Sequence, residues 1–236
     1  ALKDEPEEAR TEAMEEFWDF VELMRLIAAR PEAWGSTFTV ALAGMLTPRE
    51  QLALPGASKR AVRLGSDSTL GVFGAVEWSG GFYAEEQLRD FFDALKAIAN
   101  APDQELIISL GEMISYVGFA AKRAPAWRDK LVLYVGDNQN AVTWLTKWQS
   151  GNRLVRHILR ALRFWMSVCH FSLAPAYVRT YHNSLSDWQT RGAEEEVDTY
   201  MQERGFDQVD LAADWETFIS RGFVHRALLW NMEGHP

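Results

Sequence analysis

The 236-residue sequence contains a single cysteine, Cys169, so no disulfide can form within the chain. This scarcity argues against a disulfide-rich secreted domain and favours a reducing, intracellular compartment. No apolar run approaches the ~20 residues that a membrane-spanning helix needs, and the acidic start ALKDEPEEAR does not resemble a signal peptide. We therefore expect no membrane contact. The first residue is Ala1 and not Met, which predicts a fragment, a processed product or a piece of a longer polyprotein.

Basic residues are outnumbered, with 24 Lys and Arg against 33 Asp and Glu and a formal net charge of −9. The imbalance is confined to the two ends. Residues 62–191 carry 14 basic residues against 12 acidic ones, and no acid occurs between residues 138 and 186. Because local patches and not average charge decide binding, the negative total does not exclude a nucleic-acid partner.

Hydrophobic residues make up 47% of the sequence, enough for a sizeable core. The patterning predicts a helical N-terminal extension over 1–60, a domain over 61–192 and an acidic helical C-terminal extension over 193–236. Apolar spacing and turn residues predict strands at 61–66, 74–78, 81–85, 131–135 and 171–179, and helices at 6–30, 86–99, 105–122, 139–149, 153–169, from Ser184 and at 208–230.

This order of elements predicts an α/β fold. The first three strands follow one another through hairpins and are expected to be antiparallel. The last two strands are reached through helical crossovers and are expected to be parallel. We therefore expect a five-stranded mixed sheet with helices on both faces.

Four acids occur at the points of this fold where chemistry is usually placed. Asp67 ends the first strand, Glu112 lies in an apolar helix, Asp137 follows the fourth strand, and Asp187 lies in the first turn of a late helix. Each alone has an ordinary explanation as a cap, an exposed edge or a partner of the helix dipole. Together they form a candidate cluster of oxygen ligands, which Mg²⁺ prefers.

These acids lie in the segments SDSTLGVFGAVEW, LGEM, YVGDNQNAVTWL and YHNSLSDWQTR. Over about residues 61–192 the chain resembles the ribonuclease H domains attached to reverse transcriptases of retroelements. The family pattern is an Asp with a Gly seven residues on, a helical Glu, an Asp-Asn pair, and Asn-x-x-Ala-Asp. Here these are Asp67 with Gly74, Glu112, Asp137-Asn138, and Asn183 with Ser186-Asp187. Ser186 replaces the Ala of the family, and His182, because it is adjacent to Asn183, is not expected to shuttle protons.

The resemblance implies a ribonuclease H-like fold and a metal-dependent endonuclease that cleaves the RNA strand of RNA·DNA hybrids. Asp67, Glu112, Asp137 and Asp187 would be the catalytic residues and the ligands of two Mg²⁺ or Mn²⁺ ions. Two ions about 4 Å apart can activate an attacking water and stabilise the leaving oxygen of a phosphodiester. The source would be a reverse-transcriptase polyprotein, with a reverse-transcriptase domain or a larger nucleoprotein assembly as partner.

Substrate contacts are expected along the acid-free basic stretch. A helical stripe at spacings of 3, 4 and 3 is typical of one helix face, and four arginines without acids favour phosphate contact. Polar side chains nearby can hydrogen-bond sugar 2′-hydroxyls, which distinguish RNA from DNA. The candidate substrate-binding residues are Arg153, Arg156, Arg160 and Arg163 in the stripe, Lys147 beside it, and Ser150, Asn152, Asn138 and Asn183.

Two other interpretations remain open. A domesticated ribonuclease H-like domain acting as a binding or assembly module would use the acidic extensions for partner contacts. A DNA-cutting nuclease or integrase would share the acids but fits the Asp-Asn and Asn-x-x-Ser-Asp motifs less well. Retention of all four acids favours the enzyme, because a scaffold gains nothing from clustered like charges.

Overall fold

The computed structural model describes residues 48–53, 55, 56, 59, 61–87 and 104–211, together with residues 14, 17, 18 and 21. Its strands are β1 (Ala61–Ser68), β2 (Val72–Glu77), β3 (Phe82–Gln87), β4 (Leu131–Gly136), β5 (Ser172–Tyr177) and β6 (Asp207–Gln208). Its α-helices are α1 (Pro48–Ala53), α2 (Gln104–Arg123), α3 (Gln139–Lys147), α4 (Arg153–Cys169), α5 (Ser184–Arg191) and α6 (Glu194–Glu203). Short 3₁₀ turns occupy Ala124–Trp127 and Thr180–His182.

The strands form one mixed sheet in the order β5-β4-β1-β2-β3-β6. Strands β1, β2 and β3 are antiparallel neighbours, and β4 and β5 extend the sheet in parallel from β1. This arrangement is the predicted mixed α/β architecture and is consistent with a ribonuclease H-like fold. The register places Gly74 opposite Asp67 on one side and Glu85 on the other.

The predicted number of five strands is wrong, because a sixth strand pairs in parallel with β3. Strand β6 consists of two exposed polar residues, Asp207 and Gln208, without the β-branched or aromatic run that identifies a strand in sequence. Its pairing with Phe82 and Tyr83 alone defines it. The predicted helix 208–230 does not begin there, and residues beyond 211 lie outside the described part of the chain.

Most of the other predicted elements are present where the structure describes them, and the predicted helix 86–99 is the exception at its first two residues. The helices expected at 105–122, 139–149 and 153–169 correspond to α2, α3 and α4, with ends that differ by at most two residues. Strand β3 continues to Gln87, so no helix begins at residue 86, and the rest of the expected helix 86–99 lies outside the described residues. The helix expected at 6–30 is described only at residues 14, 17, 18 and 21, all helical.

Successive residues of each strand point to opposite faces of the sheet, and both faces are covered by helices. On one face Leu64 and Ala75 belong to the main core with residues of α2 and α4. On the other face Val76 and Tyr83 pack with Val197 and Met201 of α6. Helix α6 follows the predicted end of the domain at residue 192, and that boundary stays a prediction. None of the described helices is long and apolar enough to cross a membrane.

Candidate metal centre

Three of the four predicted acids converge at one point of the sheet. Asp67 lies near the end of β1, Glu112 lies in the middle of α2, and Asp137 directly follows β4. One carboxylate oxygen from each lies within 4.8 Å of the other two. Asp67 and Glu112 are 5% and 2% exposed, while Asp137 is half-buried. The cluster is therefore buried on two sides and reachable from solvent beside Asp137.

The topology explains why these acids meet. Strands β1 and β4 are parallel neighbours, so their carboxyl ends lie at the same edge, where open α/β sheets bind ligands. Two serine hydroxyls hold α2 against the sheet, one at Glu112 itself and one three residues later. The Ser66 hydroxyl donates to the Glu112 carbonyl at 3.3 Å, and the Ser115 hydroxyl donates to the Gly74 carbonyl at 2.9 Å.

Burial and mutual repulsion make the cluster costly to ionise without a cation. Burial, followed by the charges of Asp67 and Asp137, raises the pKa of Glu112 to about 9, and hydrogen bonds from Asn138 oppose this rise. Burial also raises the pKa of Asp67 to about 6. A hydrogen bond from Thr190 lowers this pKa, and repulsion from Asp137 and Asp187 raises it further. Both shifts favour the neutral acid, and a bound cation would reverse them.

The donor set fits a hard divalent cation. All candidate ligand atoms are carboxylate oxygens. Glu112 Oε2 is buried and has no hydrogen-bond partner among the described residues, which is unusual for a buried polar atom. A metal ion would satisfy that oxygen. The triad of Asp67, Glu112 and Asp137 can therefore bind a metal ion.

Asp187 lies close to the triad but outside it. Its negative charge contributes to the raised pKa of Asp67, so the two carboxylates are near enough to interact. Its own Oδ1 lies 2.8 Å from Arg191 Nε, one helical turn further along α5. The Asp187 side chain is 25% exposed. Sequence spacing placed Asp187 on the correct helix, and the i,i+4 spacing of Asp187 and Arg191 was an available signal for this ion pair.

A second layer of polar side chains from α5 and the preceding turn surrounds the carboxylates. The Asn183 amide donates to the Ser66 carbonyl at 3.0 Å and to Asp137 Oδ1 at 3.2 Å. The Thr190 hydroxyl donates a hydrogen bond to Asp67 Oδ2. Asn183 was predicted to contact substrate, but its side chain is fully buried and lies behind the carboxylates.

Thr190 was not singled out from the sequence, although one signal was available. It follows Asp187 by three residues, which is one helical turn, so both side chains lie on the same side of α5. Ser66 was missed for a different reason. Its contacts with Tyr134, at 2.9 Å, and with Glu112 join positions that are 68 and 46 residues apart in the chain.

Asn138 is the N-cap of helix α3, directly before its first residue Gln139. Its Oδ1 accepts hydrogen bonds from the backbone N–H groups of Asn140 and Ala141, at 3.0 and 3.2 Å, as is typical of an N-cap residue. The same oxygen also accepts from the Ser109 hydroxyl at 3.1 Å, which links α3 to α2. The acid-to-helix transition at 137–139 therefore combines a candidate metal ligand with a structural cap.

Several of the predicted substrate-binding residues lie in or next to the loop that joins α3 and α4. Asn152 caps α4 by accepting from the Val155 N–H at 3.2 Å, and the Ser150 hydroxyl accepts from the Asn152 N–H at 3.1 Å. Arg156 donates to the Gly151 carbonyl at 2.8 Å, so it also fixes this loop. Arg160 is half-buried, and the Arg153 side chain lies outside the described residues.

Two basic side chains beside this loop are exposed. Arg163 lies over the ring of Trp148, with its guanidinium carbon 4.9 Å from the ring centroid, within cation–π range. Lys147, the last residue of α3, is exposed. Among the described side chains of this basic region, these two are more exposed than Arg156 and Arg160.

No family model, curated protein or solved structure matches this chain. The assignment of function therefore depends on the geometry of the carboxylates and of the side chains around them.

Proposed function

We propose that this protein is a metal-dependent endonuclease that cleaves the RNA strand of RNA·DNA hybrids. The observation that carries the proposal is the meeting of Asp67, Glu112 and Asp137 within 4.8 Å at the carboxyl ends of β1 and β4. Three buried or half-buried carboxylates destabilise one another unless they share cations or protons. Their retention therefore supports a catalytic metal site over a purely structural one.

Asp67, Glu112 and Asp137 would hold Mg²⁺ or Mn²⁺, and Asp187 would join them as a fourth ligand if its pair with Arg191 opens. Two ions bound there would act as Lewis acids on the phosphate and lower the pKa of the attacking water. The protein's contribution is the fixed direction of each carboxylate, set by Asn138, Asn183 and Thr190.

Substrate binding would use the acid-free basic stretch from residue 138 to residue 186. The exposed Lys147 and Arg163 would contact phosphates, and the loop of Ser150 and Asn152 between them in sequence is polar. Sugar 2′-hydroxyls bound at this loop would provide discrimination between RNA and DNA strands.

The proposal is tested by incubating the protein with labelled RNA·DNA hybrid, duplex DNA and duplex RNA, each with and without magnesium. We expect cleavage of the RNA strand of the hybrid only, and only with the metal. Asp137→Asn, which removes one ligand and keeps the shape, should abolish that cleavage. An assembly module would bind hybrid or protein without cleaving it, and an integrase-like nuclease would cut duplex DNA.

A further inference from the structure

We infer that Thr190 is a positioning residue for Asp67, and that Gly74 makes this role possible by admitting helix α5 close to the sheet. The inference rests on the proposed metal-dependent function and assigns a role within it to two residues that touch no substrate. It also gives a physical reason for the glycine seven residues after the first acid.

The contact between Thr190 and Asp67 is buried on both sides. Asp67 is 5% exposed and Thr190 is 7% exposed. The Thr190 hydroxyl donates to Asp67 Oδ2, and the same oxygen atom of Thr190 lies 3.1 Å from the Asp187 carbonyl one turn back. Hydrogen bonds to a charged carboxylate are stronger than those to a neutral carbonyl, so an ionised Asp67 attracts the single hydroxyl proton. With Oδ2 engaged, rotation of the carboxylate is restricted and its remaining oxygen has a fixed direction.

The position of Thr190 is set by its neighbour Gln189. Gln189 is 1% exposed and donates from Nε2 to the Ala84 carbonyl at 3.3 Å, which fixes α5 to strand β3. The Cβ of Gln189 occupies the space beside Gly74. A Cβ added at Gly74 would lie 2.9 Å from the Cβ of Gln189, closer than carbon atoms of side chains approach one another.

Gly74 is also the cross-strand partner of Asp67 in the β1–β2 pair. Directly opposed residues of an antiparallel pair point their side chains to the same face. The absent side chain at Gly74 therefore opens the space next to Asp67 into which α5 fits. A larger residue at position 74 would push α5 outwards and carry the Thr190 hydroxyl away from Asp67.

The first test uses Thr190→Val, which keeps the shape and removes the hydroxyl, and Thr190→Ser, which keeps the hydroxyl. Thr199→Val is a matched control, because Thr199 is exposed on α6 and its hydroxyl donates to the Glu195 carbonyl of the same helix at 2.8 Å. The readout is the rise of the melting temperature during a titration with MnCl₂ or MgCl₂, which reports cation binding without turnover. Hybrid cleavage is measured in parallel.

We expect Thr190→Val to weaken cation binding by about ten- to a hundred-fold, the usual effect of removing a group that orients a metal ligand. Thr190→Ser should retain most of the affinity, and Thr199→Val should match the wild type. If the wild type binds the cation and Thr190→Val binds it with the same affinity, the inference is overturned and the proposed function stays in place. A wild-type protein that neither binds the cation nor cleaves hybrid would overturn both.

The second test separates positioning by Gly74 from simple damage to the fold. Gly74→Ala should weaken cation binding in the wild-type background, and should add little in the Thr190→Val background, because the contact is already lost. Full additivity of the two substitutions would show that Gly74 does not act through Thr190. If Gly74→Ala does not fold, the comparison of Thr190→Val with Thr190→Ser still decides the role of the hydroxyl.

Discussion

Asn183 donates a hydrogen bond from Nδ2 to Asp137 Oδ1 at 3.2 Å, although the two residues are 46 positions apart. The same amide nitrogen donates to the Ser66 carbonyl at 3.0 Å. One buried side chain therefore connects the end of β1, the acid that follows β4 and the start of α5. Because Ser66 is adjacent to Asp67, this connection fixes the relative positions of Asp67 and Asp137 before any cation binds.

Replacing Asn183 with Ala should lower the free energy of unfolding by about 1–3 kcal/mol, because the buried Ser66 carbonyl and Asp137 lose a donor. The measurement is urea unfolding in EDTA. His182→Ala is the control, since His182 is the adjacent residue and is exposed. It should change stability by no more than about 0.5 kcal/mol. Equal stability of the two variants would show that the Asn183 bonds contribute nothing measurable.

The metal-free protein should become less stable as the pH rises from about 5 to about 8. The pKa of Glu112 is raised by burial from 4.5 to about 9, so between these values the folded state holds a proton that the unfolded state has released. The free energy of unfolding therefore falls as the pH rises through this range. Asp67, with its pKa raised to about 6, contributes in the same direction at the lower end.

Glu112→Gln should flatten this dependence, since the amide does not titrate. Glu105→Gln is a suitable comparison, because Glu105 lies on the same helix and is exposed. Thermal melts of the three proteins in EDTA at several pH values provide the measurement. A stability that rises with pH, or a slope that Glu112→Gln leaves unaltered, would show that Glu112 is not the buried neutral acid.

Magnesium should raise the melting temperature, at millimolar concentrations, and should do so more at pH 8 than at pH 6. The carboxylates must lose their protons to bind a cation. At the lower pH, protons therefore compete more strongly with the cation for these carboxylates. Asp137→Asn should reduce the shift at both pH values and should leave the metal-free protein at least as stable as the wild type, because repulsion is relieved. A melting temperature indifferent to magnesium and manganese would favour the assembly-module interpretation.

Arg163 of the basic stripe and Lys147 beside it, both exposed, should contribute to hybrid binding through phosphates. Replacing Lys147 and Arg163 with Ala should weaken binding of all hybrid sequences alike and lower the slope of log K against log salt by nearly one unit per lost contact. The titration is run in calcium to suppress turnover. Arg204→Ala is the control, because Arg204 lies over Tyr200 at the end of α6. An unchanged slope would remove this stripe from the substrate site.

The sequence was sufficient for the parts of the fold with strong local signals. Strand β4 is a β-branched and aromatic run, and helices α3 and α4 begin at asparagine caps, so their positions could be predicted within two residues. The positions of Asp67 and Asp137 at strand ends could also be predicted, but their meeting depends on β1 and β4 being parallel neighbours, which the structure shows. These features depend on residues close together in the chain or on topology alone.

Features that depend on distant contacts could not be predicted. Glu77 is 2% exposed and accepts from Arg123 at 3.0 Å and from Trp127 at 3.1 Å, which ties β2 to the end of α2. Nothing near Glu77 in the sequence indicates those partners. The burial of Asn183 is a second case, because its motif indicated importance but could not distinguish substrate contact from support of a neighbouring acid.

The most direct test of the central claim is the chemical identity of the ends produced from an RNA·DNA hybrid. Attack by water on phosphorus, with cleavage of the bond to O3′, leaves a 3′-hydroxyl and a 5′-phosphate. Attack by the neighbouring 2′-hydroxyl, with cleavage of the bond to O5′, leaves a 2′,3′-cyclic phosphate and needs no carboxylate-bound cation. We expect magnesium-dependent 3′-hydroxyl and 5′-phosphate ends from the wild type and no cleavage by Asp67→Asn. Cyclic phosphate ends, or cleavage that persists in Asp67→Asn, would contradict the assignment of the metal centre.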